Sequence, residues 1–110
     1  AETLTARVKT IHDNTFRIQR IAGQTVAKAH LTVQAAMAAG ATDEQLAVAR
    51  EQLREAQWYW DWVAAENGMG FHNPDKILRT LGLAVDKAHQ AIETANAVVK
   101  GKLEIPAMGF

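Results

Sequence analysis

The chain has 110 residues, 12 of them basic and 12 acidic, and no cysteine. That length fits one domain with a modest core, and the charge balance argues against a dedicated nucleic-acid binder, which needs excess cations to displace counterions. The missing cysteine excludes disulfides, thiolate metal sites and covalent c-type haem attachment within this sequence, and no run approaches the roughly eighteen apolar residues of a membrane span.

The first predicted element is an amphipathic helix over about residues 2–39. Leu4, Val8, Ile11, Thr15, Ile18, Ala22, Thr25, Ala29, Val33 and Ala36 recur at three-and-four spacing and so share one face. Gly40 suits the left-handed position that ends a helix. Thr42 and Gln45 then form a capping box, in which the threonine hydroxyl accepts from the N–H three residues on and the glutamine reaches back.

The second helix is expected over about 43–67, with Leu46, Ala49, Leu53, Ala56, Trp60 and Val63 on its apolar face and Gly68 at its end. Asn73 caps the third and Pro74 occupies its first position, where no N–H is needed. The stripe Ile77, Leu81, Val85, Ala88, Ile92, Ala95 and Val99 carries that helix over about 74–100. Gly101 is expected to stop it, and Pro106 to keep the tail from resuming. Gly23 and Gly82 sit inside helices at a cost of about 1 kcal/mol each against alanine. Alanine-rich stripes permit close, coiled-coil-like packing.

The reading is therefore all-α: three long antiparallel amphipathic helices in an up-down-up bundle, residues 1–110 forming a single helical domain. Helix one would extend about 57 Å, and the others only about 37–40 Å. Short connections make neighbours antiparallel, so the first helix overhangs its partners unless it bends or frays near its N-terminus. An apolar stripe on an overhang needs a cover from a partner chain or a missing part of the same chain. The sequence opens on Ala1 with no secretory leader pattern, as a mature secreted chain or an excised piece of a longer one would; the overhang favours the piece.

Few residues offer chemistry. The histidines are His12, His30, His72 and His89, and no two have the four-residue spacing that puts two ligands on one helical face. Serine is absent, and no nucleophilic triad or phosphate-binding glycine loop exists. The carboxylates Glu51, Glu55 and Asp61 read as members of solvated faces. His30 and His89 lie among small helical residues and read as packing or surface histidines, and His12 as solvated. His72 stands in a glycine-rich loop beside Phe71, just before a helix N-terminus. The helix dipole there disfavours the imidazolium, and a neutral imidazole is what a metal needs; Met69 and Phe71 could rest against a flat apolar cofactor. An exposed loop histidine that helps to cap helix three fits the same spacing. The run Trp58-Tyr59-Trp60-Asp61-Trp62 puts Trp60 on the core stripe, Trp58 and Trp62 together on a second face and Tyr59 on a third. Either a large local core or an interface with another domain or cofactor layer accounts for it.

Three segments carry a resemblance. They are Ala41-Thr42-Asp43-Glu44, then Arg54-Glu55-Ala56-Gln57-Trp58-Tyr59-Trp60-Asp61, then Gly70-Phe71-His72-Asn73-Pro74-Asp75-Lys76-Ile77-Leu78-Arg79. With Lys28-Ala29-His30-Leu31 upstream, they resemble the C-terminal helical region of ammonia-forming cytochrome c nitrite reductases, in order and with similar spacing over most of residues 25–100. The resemblance implies a periplasmic, multihaem parent that reduces nitrite to ammonium in a six-electron reaction, with several haems c and a calcium site. It also implies a homodimer joined through the long helices, and a redox partner. The family's haem-attachment motifs, active-site residues and calcium site all precede the matched region, so none is carried onto this chain. His72 matches the distal axial ligand of a bis-histidine, electron-transferring haem. The chain then reads as a haem-free C-terminal structural and dimerisation domain that packs on the haem-bearing N-terminal portion of its parent. The rival readings are a free-standing helical protein-interaction module with no enzymatic role, and a bundle that binds haem noncovalently.

Overall fold

The computed structural model describes the backbone of residues 4–68 and 74–108 and the side chains of residues 16–66 and 75–101. It contains α1 (Leu4–Ala38), α2 (Ala47–Gly68) and α3 (Pro74–Met108), and no strand among the described residues. The all-α, three-helix expectation holds, with differences at the helix ends.

The α1–α2 corner follows from local chemistry. Gly40 adopts φ 99°, where a Cβ would be strained. The Gly40 N–H donates to the Met37 carbonyl at 3.0 Å and the Ala41 N–H to that of Ala36 at 3.0 Å, the paired bonds that close a Schellman helix end. The capping box forms, with Gln45 N to Thr42 Oγ1 at 3.2 Å and Thr42 N to Gln45 Oε1 at 2.9 Å. It caps an isolated turn rather than α2 itself. Leu46 N donates to Thr42 O at 3.1 Å, Ala47 N tightens onto Glu44 O at 3.4 Å, and the regular ladder begins with Arg50 N on Leu46 O at 2.9 Å. Leu46 is fully buried and pins this turn to the core. The helix thus starts at Ala47 rather than at residue 43.

The core is a set of small residues at alternating three-and-four spacing: Ala22, Val26, Ala29, Val33 and Ala36 on α1; Leu46, Ala49, Leu53, Ala56 and Val63 along α2 and its leading turn; Ile77, Leu81, Ala84, Ala88, Ala91 and Ala95 on α3. Alternating three-and-four steps average 3.5 residues, the period at which helices keep one seam facing their partners. Several expected core positions shift, among them Ile18, which is exposed. Thr25 is only half-buried and turns its hydroxyl back to the Ile21 carbonyl at 3.1 Å, so that Val26 takes the seam. On α3, Val85, Ile92 and Val99 flank the core, and Ala84 and Ala91 hold its centre, because alanine lets helix axes come closest.

The ends overhang in two directions. Helices α1 and α3 each have 35 residues, about 52 Å, yet the molecule is 71 Å long. Ala22 of α1 packs with Ile77 and Leu81 at the start of α3, while Ala36 lies level with Val99. The first part of α1 therefore runs beyond α3, as its length implied, and the end of α3 runs beyond α1. The second overhang corrects the expectation that Gly101 ends the third helix. A single glycine costs only about 1 kcal/mol in a helix, and α3 continues through Gly101 and Pro106 to Met108.

Candidate functional site

The aromatic run of α2 divides among three environments. Trp60 is half-buried between the two parts of the core, and its indole N–H donates to the Gln19 carbonyl on α1 at 2.9 Å. Its ring lies on Gly23: a Cβ there would stand 2.9 Å from Trp60 Nε1 and 3.1 Å from Cε2. The glycine in α1 is thus a packing notch for the indole. Trp62 covers the Val63–Ile77–Leu81 end of the core, and the Lys76 ammonium sits 4.9 Å from its ring centroid, a cation–π contact that ties the first turn of α3 to the last turns of α2. Trp58 packs edge-on to Tyr59, with centroids 5.4 Å apart, and keeps 62% of its surface exposed. The local-core reading of the cluster accounts for Trp60 and Trp62 and leaves Trp58 facing outward.

His72, the candidate haem ligand, lies outside the described residues, as do its neighbours Met69 and Phe71. In sequence it falls between Gly68, which closes α2, and Pro74, which opens α3, the two helices that Trp62 and Lys76 bridge. His89 is exposed on α3, and the side chain of His12 lies outside the described residues.

His30 is half-buried, and its Nε2 lies 2.9 Å from Gln57 Oε1; Gln57 Nε2 in turn donates to Asp61 Oδ1 at 2.8 Å. With the Gln57 carbonyl accepting, Nε2 carries the proton. This chain crosses from α1 to α2 along a groove lined by His30, Arg50, Leu53, Arg54, Gln57, Trp58 and Asp61. Sequence reasoning finds half of it: Gln57 and Asp61, four apart, share a helix face, but the partner on α1 depends on helix register. Across the α2–α3 interface Thr94 donates to Gln52 at 2.8 Å and Lys87 pairs with Glu55 at 3.0 Å. The hydrogen bond and charge of Glu55 raise the Lys87 pKa above its ordinary 10.5. Among the described residues no three histidine or acidic side chains gather to hold a metal, and no helix is long and apolar enough to cross a membrane.

Comparison with known proteins gives the family. A family model described as Cytochrome c552 matches residues 1–107. The chain belongs to the cytochrome c552 family. It is similar to a protein named cytochrome c-552 from Bacteroides fragilis (strain YCH46), 42% identical over 90 residues that make up 76% of this chain and 18% of the relative. It is also similar to the cytochrome c nitrite reductase subunit NrfA of Nitratidesulfovibrio vulgaris, 40% identical over 98 residues, with 84% of this chain and 18% of that protein covered. A cytochrome c-552 from Haemophilus influenzae is 37% identical over 101 residues, 92% of this chain and 18% of the relative. No solved structure gives a significant match. The chain spans about a fifth of the length of the curated relatives it matches. For a member of a cytochrome c family it has an unusual property: with no cysteine it offers no site for covalent haem.

Proposed function

We propose that this chain is the haem-free, C-terminal helical portion of a periplasmic multihaem cytochrome c nitrite reductase, a structural and dimerising element for a parent that reduces nitrite to ammonium. The observation that carries this reading is the conjunction just described: a cytochrome c552 family match across residues 1–107 in a sequence that lacks every haem-attaching thiol and corresponds to 18% of relatives of that name. The haems, and any calcium, would then be held by the rest of the parent. The bundle would supply a stiff support packed on that haem-bearing portion, with the long helices pairing two protomers.

In this reading His72 gives one imidazole nitrogen as the distal axial ligand of an electron-transferring haem. That haem, when bound, supplies one-electron transfer; this chain's part is to hold the imidazole. Two features support the assignment. The segment Gly70-Phe71-His72-Asn73-Pro74 resembles the family's ligand-bearing motif, and His30 is already committed to Gln57 and Asp61. The Trp62–Lys76 contact braces the helix ends between which His72 falls in sequence.

The test is the full-length parent carrying His72→Ala. Haem content should stay unchanged, because attachment does not involve this residue, while the electron paramagnetic resonance spectrum should lose one low-spin ferric signal and gain a high-spin one. A spectrum identical to the parent's would remove His72 from the ligand set.

A further inference from the structure

The corner between α1 and α2 holds a second contact besides the capping box. Met37, in the last turn of α1, keeps 47% of its surface exposed. Its Sδ accepts a hydrogen bond from Arg50 Nη2 on α2 at 3.1 Å. The other arm of that guanidinium, Nη1, pairs with Asp43 Oδ1 at 2.8 Å. An acid in the connecting turn thus holds Arg50 against a thioether. A thioether sulfur is a weak acceptor, whereas a guanidinium makes its strong bonds to oxygen. Met37 also stands clear of the core: its neighbour Ala36 is buried, and Met37 itself belongs to neither part of the core. With no cysteine in the chain, a methionine sulfur is the readiest group it offers to a two-electron oxidant.

We propose that Met37 is a site of oxidation by hydroperoxides, and that Arg50 and Asp43 form a clamp for its sulfoxide. A sulfur lone pair attacks one oxygen of hydrogen peroxide. The S–O bond forms as the O–O bond breaks, and the departing hydroxide takes up the proton of the transferred oxygen, which leaves methionine sulfoxide and water. Sulfur gives up two electrons and the peroxide accepts them. The new oxygen carries a large negative partial charge. Arg50 is partly exposed, so a small shift lets Nη2 donate to that oxygen instead of to sulfur, with Asp43 still on the other arm. Sulfoxidation ordinarily harms a protein by setting a polar group in apolar surroundings. Here it replaces a weak hydrogen bond by a charge-assisted one, between the last turn of α1 and the first turn of α2. The guanidinium is already fixed by Asp43 in the reduced form, so little further side-chain freedom is lost. The oxidised corner is therefore tighter than the reduced one.

The test exposes this chain, Met37→Leu and Arg50→Ala to the same dose of hydrogen peroxide. Peptide mass spectrometry reads the oxygen added at each methionine, and circular dichroism melts read the change in Tm on oxidation. The Met37→Leu chain reports what the remaining methionines contribute, and its shift is subtracted from the other two. Arg50→Ala keeps a strong helix former at an exposed position and removes only the donor. In the folded chain Met37 should become its sulfoxide at a rate within about tenfold of that in the urea-unfolded chain. The corrected shift of the chain that keeps Arg50 should lie about 2–4 °C above that of Arg50→Ala. A smaller difference, or a reversed one, would overturn the clamp. A Met37 that stays reduced in the folded chain while its unfolded form oxidises would overturn the site itself.

Discussion

Gly23→Ala and Gly82→Ala are the same substitution in a helix interior, and the structure requires them to act in opposite directions. By propensity alone, each should stabilise by about 1 kcal/mol. At Gly82 nothing lies within 4 Å of the new methyl group, so that gain should be realised. At Gly23 the methyl carbon would meet Trp60 Nε1 at 2.9 Å, Cε2 at 3.1 Å and Cζ2 at 3.2 Å. The indole cannot slide away cheaply. It is held by its bond to Gln19 O at 2.9 Å and wedged between both parts of the core. Forcing extra volume into such a contact costs about 1–3 kcal/mol, and breaking the indole bond leaves a half-buried N–H unpaired for about 1 kcal/mol or more. Set against the propensity gain, Gly23→Ala should destabilise by about 1–2 kcal/mol. With about 4 °C per kcal/mol for a domain of this size, the two variants should melt on opposite sides of the parent and differ by about 8–12 °C. Thermal melts followed by circular dichroism measure this, and Trp60 fluorescence should shift in the Gly23 variant alone. Combining Gly23→Ala with Trp60→Phe should cancel most of the penalty, a coupling that a double-mutant cycle isolates. A Gly23→Ala chain as stable as Gly82→Ala would refute the notch.

Three further outcomes follow from the corner and the interfaces. Gly40→Ala should cost about 1–2 kcal/mol, since φ 99° places a Cβ in the left-handed region; urea midpoints at unchanged m-value check it. Thr42→Ala should lose about 1 kcal/mol through the capping box, and Gln45→Ala less, because the Gln45 side chain serves only the Thr42 N–H. The raised pKa of Lys87 means that its pairing with Glu55 contributes fully below the ordinary lysine value of 10.5 and is lost as pH rises through the higher folded value. Wild-type and Lys87→Met urea midpoints should therefore differ below pH 10.5 and converge as pH rises above the folded value; a gap that persists at the highest pH would mean that packing, not charge, distinguishes them.

Much of this fold is legible in the sequence because its signals are local. The Gly40 stop, the Thr42–Gln45 box and the α2 stripe from Leu46 to Val63 each depend on residues within a few positions, and each appears where the local chemistry puts it. Hydropathy is less informative where size decides. It ranks Val85 and Ile92 above Ala84 and Ala91, yet the alanines take the centre of α3, since close axial approach excludes the larger side chains. The helix ends mislead for a related reason: Gly101 opposes a helix by an amount that a 35-residue element absorbs. Of the candidate site, the division of labour among the tryptophans is half readable. Trp60 declares itself by its stripe, but its bond to Gln19 and its seat on Gly23 depend on the register of α1 against α2. The same register brings His30 to Gln57. His72 was singled out by its sequence context and family motif, since a lone loop histidine has no periodicity to identify it.

The central claim is that these helices serve a larger haem protein. It is tested most directly by an antibody raised against this chain, used on periplasmic extract of the source cells resolved by denaturing electrophoresis and stained in parallel for covalent haem. The account predicts one haem-positive band about five times the length of this chain, as the 18% coverage of its relatives implies. A haem-negative band at 12.0 kDa, with no larger species recognised, would contradict it and leave a free-standing helical module.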